Sequence, residues 1–307
     1  MALNNRKILI PVDFREPSEK ALHYAAYMAK KVQSELILLH ILDTPGLLDQ
    51  FFSATDHLVK IADEAKDKLY GFAALVKKDA PGVTVSTRIE MGRPYRKILE
   101  VADELNAQMI ILGENHQGGD PEDDLGTTVY HVTQKAKVPV LTYKGDTSKM
   151  KENIIVPLDP TKQTHEQLSA ALFYGKEYGA TIHLVSVLVG GIFKRESRIY
   201  KKLGEARETF EMNGLECKMK LYDRSEEPPF MKVLEYVDEV EGGIIFVMTH
   251  QEGYTYDNYI GAFAHHIMNL SKVPVLSLTA VSDKLDFAPV FKTLIDPMGV
   301  FKKSKIK

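Results

Sequence analysis

The sequence predicts an α/β protein built as two tandem five-stranded parallel-sheet domains, and three observations predict it. Residues 6–42, RKILIPVDFREPSEKALHYAAYMAKKVQSELILLHIL, return in pattern at 152–188, ENIIVPLDPTKQTHEQLSAALFYGKEYGATIHLVSVL. Pro11, Asp13, Leu36 and Leu42 fall on Pro157, Asp159, Ile182 and Leu188 at a constant offset of 146. A repeat of that length is a whole domain and too long for a solenoid unit. Within each copy, short apolar runs alternate with segments of helical periodicity, the signature of a parallel sheet with right-handed crossovers. The chain length of 307 residues fits two domains of ~150 residues.

The elements follow in order. Residues 8–12 are a short apolar run, typical of a strand covered on both faces. Ser18 offers an N-cap to a helix carrying Ala21, Leu22, Ala25, Met28, Ala29 and Val32 at helical spacing. Residues 36–42 form the second strand. A long helix then sets Leu58, Ile61, Ala62, Ala65, Leu69, Phe72 and Val76 on one face. Val83, Val85, Thr87 and Ile89 alternate as a third strand, and Pro94 suits the first turn of a helix with Ile98, Leu99, Ala102 and Leu105. A fourth strand at 109–112, a helix at 127–135 and a fifth strand at 138–143 complete the first copy.

Residues 144–153, KGDTSKMKEN, are a polar linker. The second copy repeats the order, with strands at 154–158, 182–188, 215–221, 244–248 and 273–278. The expected domains are 1–146 and 150–280, followed by an extension at 281–307 without a counterpart in the first copy. That tail, ending KKSKIK, reads as a segment packed on a domain with a frayed basic tip.

Composition narrows the function classes. A net charge of −3 gives no reason to expect nucleic acid or a membrane as partner. One cysteine excludes an intramolecular disulfide and suits a reducing cytosol. Cys217 alternates with Leu215, Met219 and Leu221, so it reads as an inert core thiol. The opening MALNNRKILI lacks the apolar region of a signal peptide, and no apolar run approaches the ~20 residues of a membrane span. The expectation is a soluble, cytoplasmic protein.

Several stretches carry a family likeness. The first copy has IPVD ending at Asp13, then MGRPYRKILEVADELNAQMIILG, and closes on KVPVLTY. The second has VPLD, FVMTH and KVPVLSL in the same order. On these residues the chain resembles a tandem universal stress protein, over nearly everything up to about residue 280. The resemblance implies a Rossmann-like strand order 3-2-1-4-5 in each domain. It also implies that the strands at 138–143 and 273–278 pair within one chain as a pseudo-dimer, with a further homodimer left open.

Family members that bind ATP carry G-x2-G-x9-G followed by Ser or Thr after the fourth strand. In an open parallel sheet, ligands sit at the carboxyl ends of the strands where chain order reverses, here between strands one and four. Glycines admit phosphate to the backbone, and a helix N-terminus completes the anion site. The resemblance therefore assigns Pro11, Val12 and Asp13, the Ile41 backbone at the base edge, and Gly113, His116, Gly126, Thr127 and Thr128 to a small ligand. The ligand the resemblance implies is ATP or another adenine nucleotide, with Mg²⁺ when bound, in the first domain only.

The first copy reads Gly113-x2-His116-x9-Gly126-Thr127, with a histidine at the second glycine. Glu114, Asp120, Glu122, Asp123 and Asp124 lie in the loop with no Lys or Arg, a poor wall for a triphosphate unless Mg²⁺ intervenes. Asp13 reads equally as a turn or helix-capping carboxylate, and the two roles are compatible. The second copy reads Met248-x2-Gln251-x9-Gly261-Ala262, and Tyr254, Tyr256 and Tyr259 stand in its loop. His116, His131, His250, His265 and His266 lack cysteine partners and ligand spacing, so no metal is assigned. No P-loop, GxSxG or HExxH occurs, and no catalytic residue is assigned. The leading expectation is a non-enzymatic stress-response protein binding a small ligand. Two alternatives stay open: an interaction scaffold with His116, Met248 and Gln251 filling both crevices, and a weak Mg-dependent nucleotide hydrolase.

Overall fold

A computed structural model describes residues 6–43, 55–114, 125–145, 152–159, 165–188, 198–224, 226–249 and 260–279. The chain divides into two compact units, residues 1–147 with 255–277, and residues 148–254 with 278–307.

In the first unit, β1 (Lys7–Pro11) pairs in parallel with β2 (Glu35–Leu42), and β2 with β3 (Val85–Met91). On its other side β1 pairs with β4 (Met109–Gly113), and β4 with β5 (Val140–Tyr143). The order β3-β2-β1-β4-β5 is the expected 3-2-1-4-5. Leu9, Ile10, Leu36, Leu38, Leu39, Ile110, Ile111 and Leu141 are buried in this sheet, which explains their near-continuous apolar runs. Helices α1 (Glu16–Val32), α2 (Thr55–Asp79), α3 (Pro94–Glu104) and α4 (Thr127–Lys135) make the crossovers. Pro94 begins α3 as expected, its missing N–H costing nothing in a first turn.

Two local expectations are corrected. Ser18 is not the N-cap of α1; the cap position is Arg15, and Ser18 is buried in the first turn. Pro17 near the helix start supplies a preset φ that begins the helix earlier. Ile61 is exposed, whereas Ala65, Leu69 and Val76 of the same expected face of α2 are buried.

The second unit contains β6 (Asn153–Pro157), α5 (His165–Tyr178), β7 (Thr181–Val187), α6 (Arg198–Met212), β8 (Cys217–Tyr222), α7 (Pro229–Glu239) and β9 (Ile244–Met248). Its parallel order is β8-β7-β6-β9, the same progression as β3-β2-β1-β4. Cys217 is buried, and burial pushes its thiol up to about 12, consistent with an inert core position.

Helix α8 (Ala262–Leu270) and β10 (Val275–Leu278) come from the second copy in sequence. All of α8 and most of β10 group with the first unit, where β10 pairs antiparallel with β5 through Val275–Thr142, Leu276–Leu141 and Ser277–Val140. The pairing of these two strands within one chain is thus observed. Among the described residues no helix is long and apolar enough to cross a membrane.

Candidate functional site

The carboxyl ends of β1, β2 and β4 hold most of the expected site. Pro11 ends β1, and the peptide N–H of the next residue, Val12, donates to the Leu39 carbonyl at 2.8 Å. The Val12 carbonyl lies 2.8 Å from His40 Nδ1 on β2, so the two strand ends are tied together by a side chain. Asp13 follows, and Ile41 stands at the corresponding end of β2, half-buried.

Asp13 Oδ1 accepts the Arg15 N–H at 3.0 Å and the Ser18 hydroxyl at 2.8 Å. It therefore pins the turn into α1, the turn role of the two read from sequence, while the N-cap position itself is Arg15. Its side chain remains 53% exposed, so Oδ2, 3.7 Å from Arg15 Nε, stays accessible to solvent-borne donors. Between Asp13 and the helix, Phe14 adopts φ 61°, a left-handed conformation rare for a bulky side chain. Its ring packs on His40 at 4.2 Å and edge-on to Phe72 at 5.7 Å, with Lys68 Nζ 5.4 Å from its centroid. Those contacts hold the strained residue in place. Burial is also the main influence that lowers the His40 imidazole below its ordinary range.

Gly113 ends β4 against the first turn of α1. A Cβ there would stand 2.4 Å from the Pro17 carbonyl oxygen and 2.8 Å from the Ser18 nitrogen. This glycine is required by helix packing, whatever else it admits. Gly126 is different. It has φ 64° and ψ 133°, with no atom within 4 Å of where a Cβ would lie, so its freedom serves the backbone path into α4. Helix α4 starts at Thr127 with no side-chain cap on its first turn, and Thr127 is exposed. The N–H groups of that turn and the Thr127 and Thr128 hydroxyls suit a phosphate. His116 and residues 115–124 lie outside the described residues.

The acidic-loop reading changes at its first member. Glu114 is buried and its Oε2 lies 2.7 Å from Lys144 Nζ, the two side chains being 1% and 7% exposed. Lys144 also donates to the carbonyls of Met268 and Asn269 in the last turn of α8, which has no basic residue of its own. Burial is the largest influence on the Lys144 amine and lowers its pKa, while Glu114 opposes that shift. Glu114 is therefore a neutralised structural anion and no part of a phosphate wall.

The second copy keeps the end of the first strand, where the Leu158 N–H donates to the Val185 carbonyl at 2.7 Å, and departs at the glycines and the hydroxyl. Met248 is buried where Gly113 stands in the first copy. Gly261, at the start of α8, has φ −57° and ψ 145°, a conformation open to any residue, and Ala262 replaces the hydroxyl. Asp159 and Met248 belong to the second unit, whereas Gly261 and Ala262 belong to the first. The buried Gln167 amide joins the end of β6 to the middle of β9, donating to the Pro157 carbonyl at 2.8 Å and the Phe246 carbonyl at 2.7 Å. The first-copy counterpart of Gln167 is Ala21. Gln251, His250 and the three loop tyrosines lie outside the described residues. Among the described residues no three His, Cys, Asp or Glu side chains gather in a metal-binding group.

Comparison with known proteins agrees with this geometry. Residues 4–144 match the model of the universal stress protein family. The universal stress protein MJ0577 of Methanocaldococcus jannaschii is 30% identical over 169 residues, covering 48% of this chain and all of the relative. YxiE of Bacillus subtilis, also a universal stress protein, is 30% identical over 142 residues, covering 44% of this chain and 96% of its own. A universal stress protein structure from Archaeoglobus fulgidus shares the fold over 90% of this chain and 99% of its own, with TM-score 0.73 and 21% identity.

Proposed function

The chain belongs to the universal stress protein family, and on that premise we propose that its first unit is a non-enzymatic, cytoplasmic ligand-binding module whose ligand is ATP. The observation that carries this reading is the start of α4: a glycine at φ 64° with open space around it, leading into an uncapped helix whose first residues are Thr127 and Thr128. The N–H groups and hydroxyls there would hold phosphate oxygens. The exposed face of Asp13 would accept ribose hydroxyls, and the Ile41 main chain would meet the base edge. Mg²⁺, when bound, supplies the positive charge that an acidic loop needs to approach phosphate.

The second unit carries no nucleotide in this reading. Gln167 bridges β6 and β9, the counterparts of β1 and β4, and Met248 fills the position of the phosphate-side glycine. It acts as a diverged partner that completes the protein and offers contact surface.

The test is release and rebinding. Freshly purified protein, denatured and analysed by mass spectrometry, is expected to yield adenine nucleotide, and calorimetry is expected to show one Mg·ATP site per chain. Asp13→Ala and the double change Thr127→Ala/Thr128→Ala should each weaken that site about tenfold or more, equivalent to ~1.4 kcal/mol. A protein that releases nothing and gives no heat with Mg·ATP overturns the proposal.

A further inference from the structure

The second unit contains a polar cavity beside β7, β8 and α7. On the face of β7 and β8 covered by α7, His183 and Lys218 are register partners, and Lys220 lies two residues further along β8. These side chains, with Tyr236 of α7, line a cavity of about 570 Å³, a volume within the range of small-ligand sites. His183 is only 2% exposed, yet it is not wholly satisfied. Its Nδ1 lies 2.9 Å from the Tyr236 hydroxyl, while its Nε2 has no hydrogen-bond partner among the described residues.

The tautomer follows from the partner. Burial pushes the Tyr236 phenol up to about 12, so the hydroxyl keeps its proton at neutral pH. Burial first, and Lys218 second, hold the His183 imidazole below its ordinary range, so the ring is neutral. With the Tyr236 hydroxyl donating to Nδ1, the neutral ring carries its proton on Nε2. The cavity is lined by His183, by the Lys218 and Lys220 ammonium groups and by the Glu239 carboxylate, which lies 3.7 Å from Lys220.

The fold does not require this arrangement. In the first copy the register and helix positions of His183, Lys218 and Tyr236 are held by Ile37, Ser86 and Val101, with Ile37 and Val101 packed in an apolar core. The counterpart of Lys220 is Arg88, which closes the surface by bonding Glu90 at 2.6 Å and Glu104 at 2.7 Å. In the second unit the pairs are looser and exposed, Lys220–Glu239 at 3.7 Å and Lys218–Glu216 at 3.1 Å. Exposed pairs of that kind exchange for another anion at little cost.

We infer that the β7–β8–α7 cavity is a binding site for a small oxyanion, a phosphate or carboxylate group of a soluble metabolite, whose oxygen accepts from His183 Nε2 and is neutralised by Lys218 and Lys220. The site lies wholly in the second unit and is independent of the nucleotide reading.

The test is an imidazole ¹⁵N NMR titration of the full chain with inorganic phosphate and, separately, acetate, at constant ionic strength, with His183 assigned by His183→Ile. A saturable shift of the His183 Nε2 signal, with half-saturation below about 20 mM, is expected for at least one of the two probes. Saturation by phosphate alone assigns a phosphoryl group, and saturation by acetate assigns a carboxylate. Lys218→Ser, a surface change to the first-copy residue, should weaken binding about tenfold. The double change His183→Ile/Tyr236→Val restores the first-copy pair and should abolish binding, as read by equilibrium dialysis of labelled phosphate or acetate, with the melting temperature retained. No saturable shift with either probe, or undiminished binding in both variants, overturns the inference.

Discussion

The residue after β4 and the residue after β5 are Glu114 and Lys144 in the first copy, and Thr249 and Thr279 at the same repeat positions in the second. One fold thus buries an ion pair at a place where it elsewhere buries two hydroxyls, with Thr249 bonding the Leu278 carbonyl at 3.1 Å. The ion pair is not needed to close the sheet. What it adds is reach, because Lys144 extends past Glu114 to the last carbonyls of α8. The same contrast recurs at Gly126 and Gly261, and at Ile37–Val101 and His183–Tyr236. In each case the scaffold tolerates both chemistries, and the difference marks where one copy has taken a task the other has not.

Breaking that contrast at the ion pair should have the largest effect. Lys144→Thr removes the ammonium that lies 2.7 Å from the buried Glu114 carboxylate and should cost about 3–5 kcal/mol of stability in urea denaturation. The double change Glu114→Thr/Lys144→Thr reproduces the second copy and should recover most of that loss. If the double variant is as unstable as the single one, the two copies are not interchangeable there. Next in size, Gly113→Ala drives a methyl into the Pro17 carbonyl and should cost about 1–3 kcal/mol. Gln167→Ala strips donors from two buried carbonyls and should cost a similar ~1–3 kcal/mol in the second unit.

An effect of similar size separates the two helix-start glycines. Gly126→Ala should destabilise by about 1–3 kcal/mol because φ 64° with an extended ψ strains any L-residue, whereas Gly261→Ala should change almost nothing. The smallest effect is a pH dependence. The imidazoles of His40 and His183 are both held low in the folded protein, chiefly by burial, against an unfolded value near ~6.5. As pH falls through ~6.5 the unfolded chain takes up protons that the folded chain refuses, so stability falls, and it levels off below the folded values. Each group contributes at most about 1.4 kcal/mol per pH unit. The variant His183→Ile/Tyr236→Val should remove one share of that slope and leave the share of His40.

Much of this was legible in the sequence because it depends on local pattern. Strand runs such as LILLHIL and the Pro94 helix start are set by near neighbours, and the constant repeat offset extended them to the second half. Gly126-Thr127 was legible for the same reason. Gly113 was seen, but its packing cause was not, because the Pro17 carbonyl that presses on it comes from a helix about a hundred residues earlier. Lys144 reaches carbonyls 124 and 125 residues away, and Gln167 bonds one 79 residues away. Pairing at such separations leaves no periodic trace. Ser18 misled because a hydroxyl near a helix start suits both a cap and a first-turn residue, and the adjacent proline decided between them.

The antiparallel pairing of β10 with β5 also sets a timetable. During synthesis β5 emerges with one edge open, and the strand that covers it follows only after about 130 further residues. At ~5–20 residues per second the first sheet waits roughly 10 s for its last neighbour. Two nascent chains on neighbouring ribosomes expose identical open edges through that interval, which is when pairing between molecules competes with pairing within one. The duplication therefore makes completion of the first unit a late event in translation, governed by ribosome pace and spacing as much as by stability.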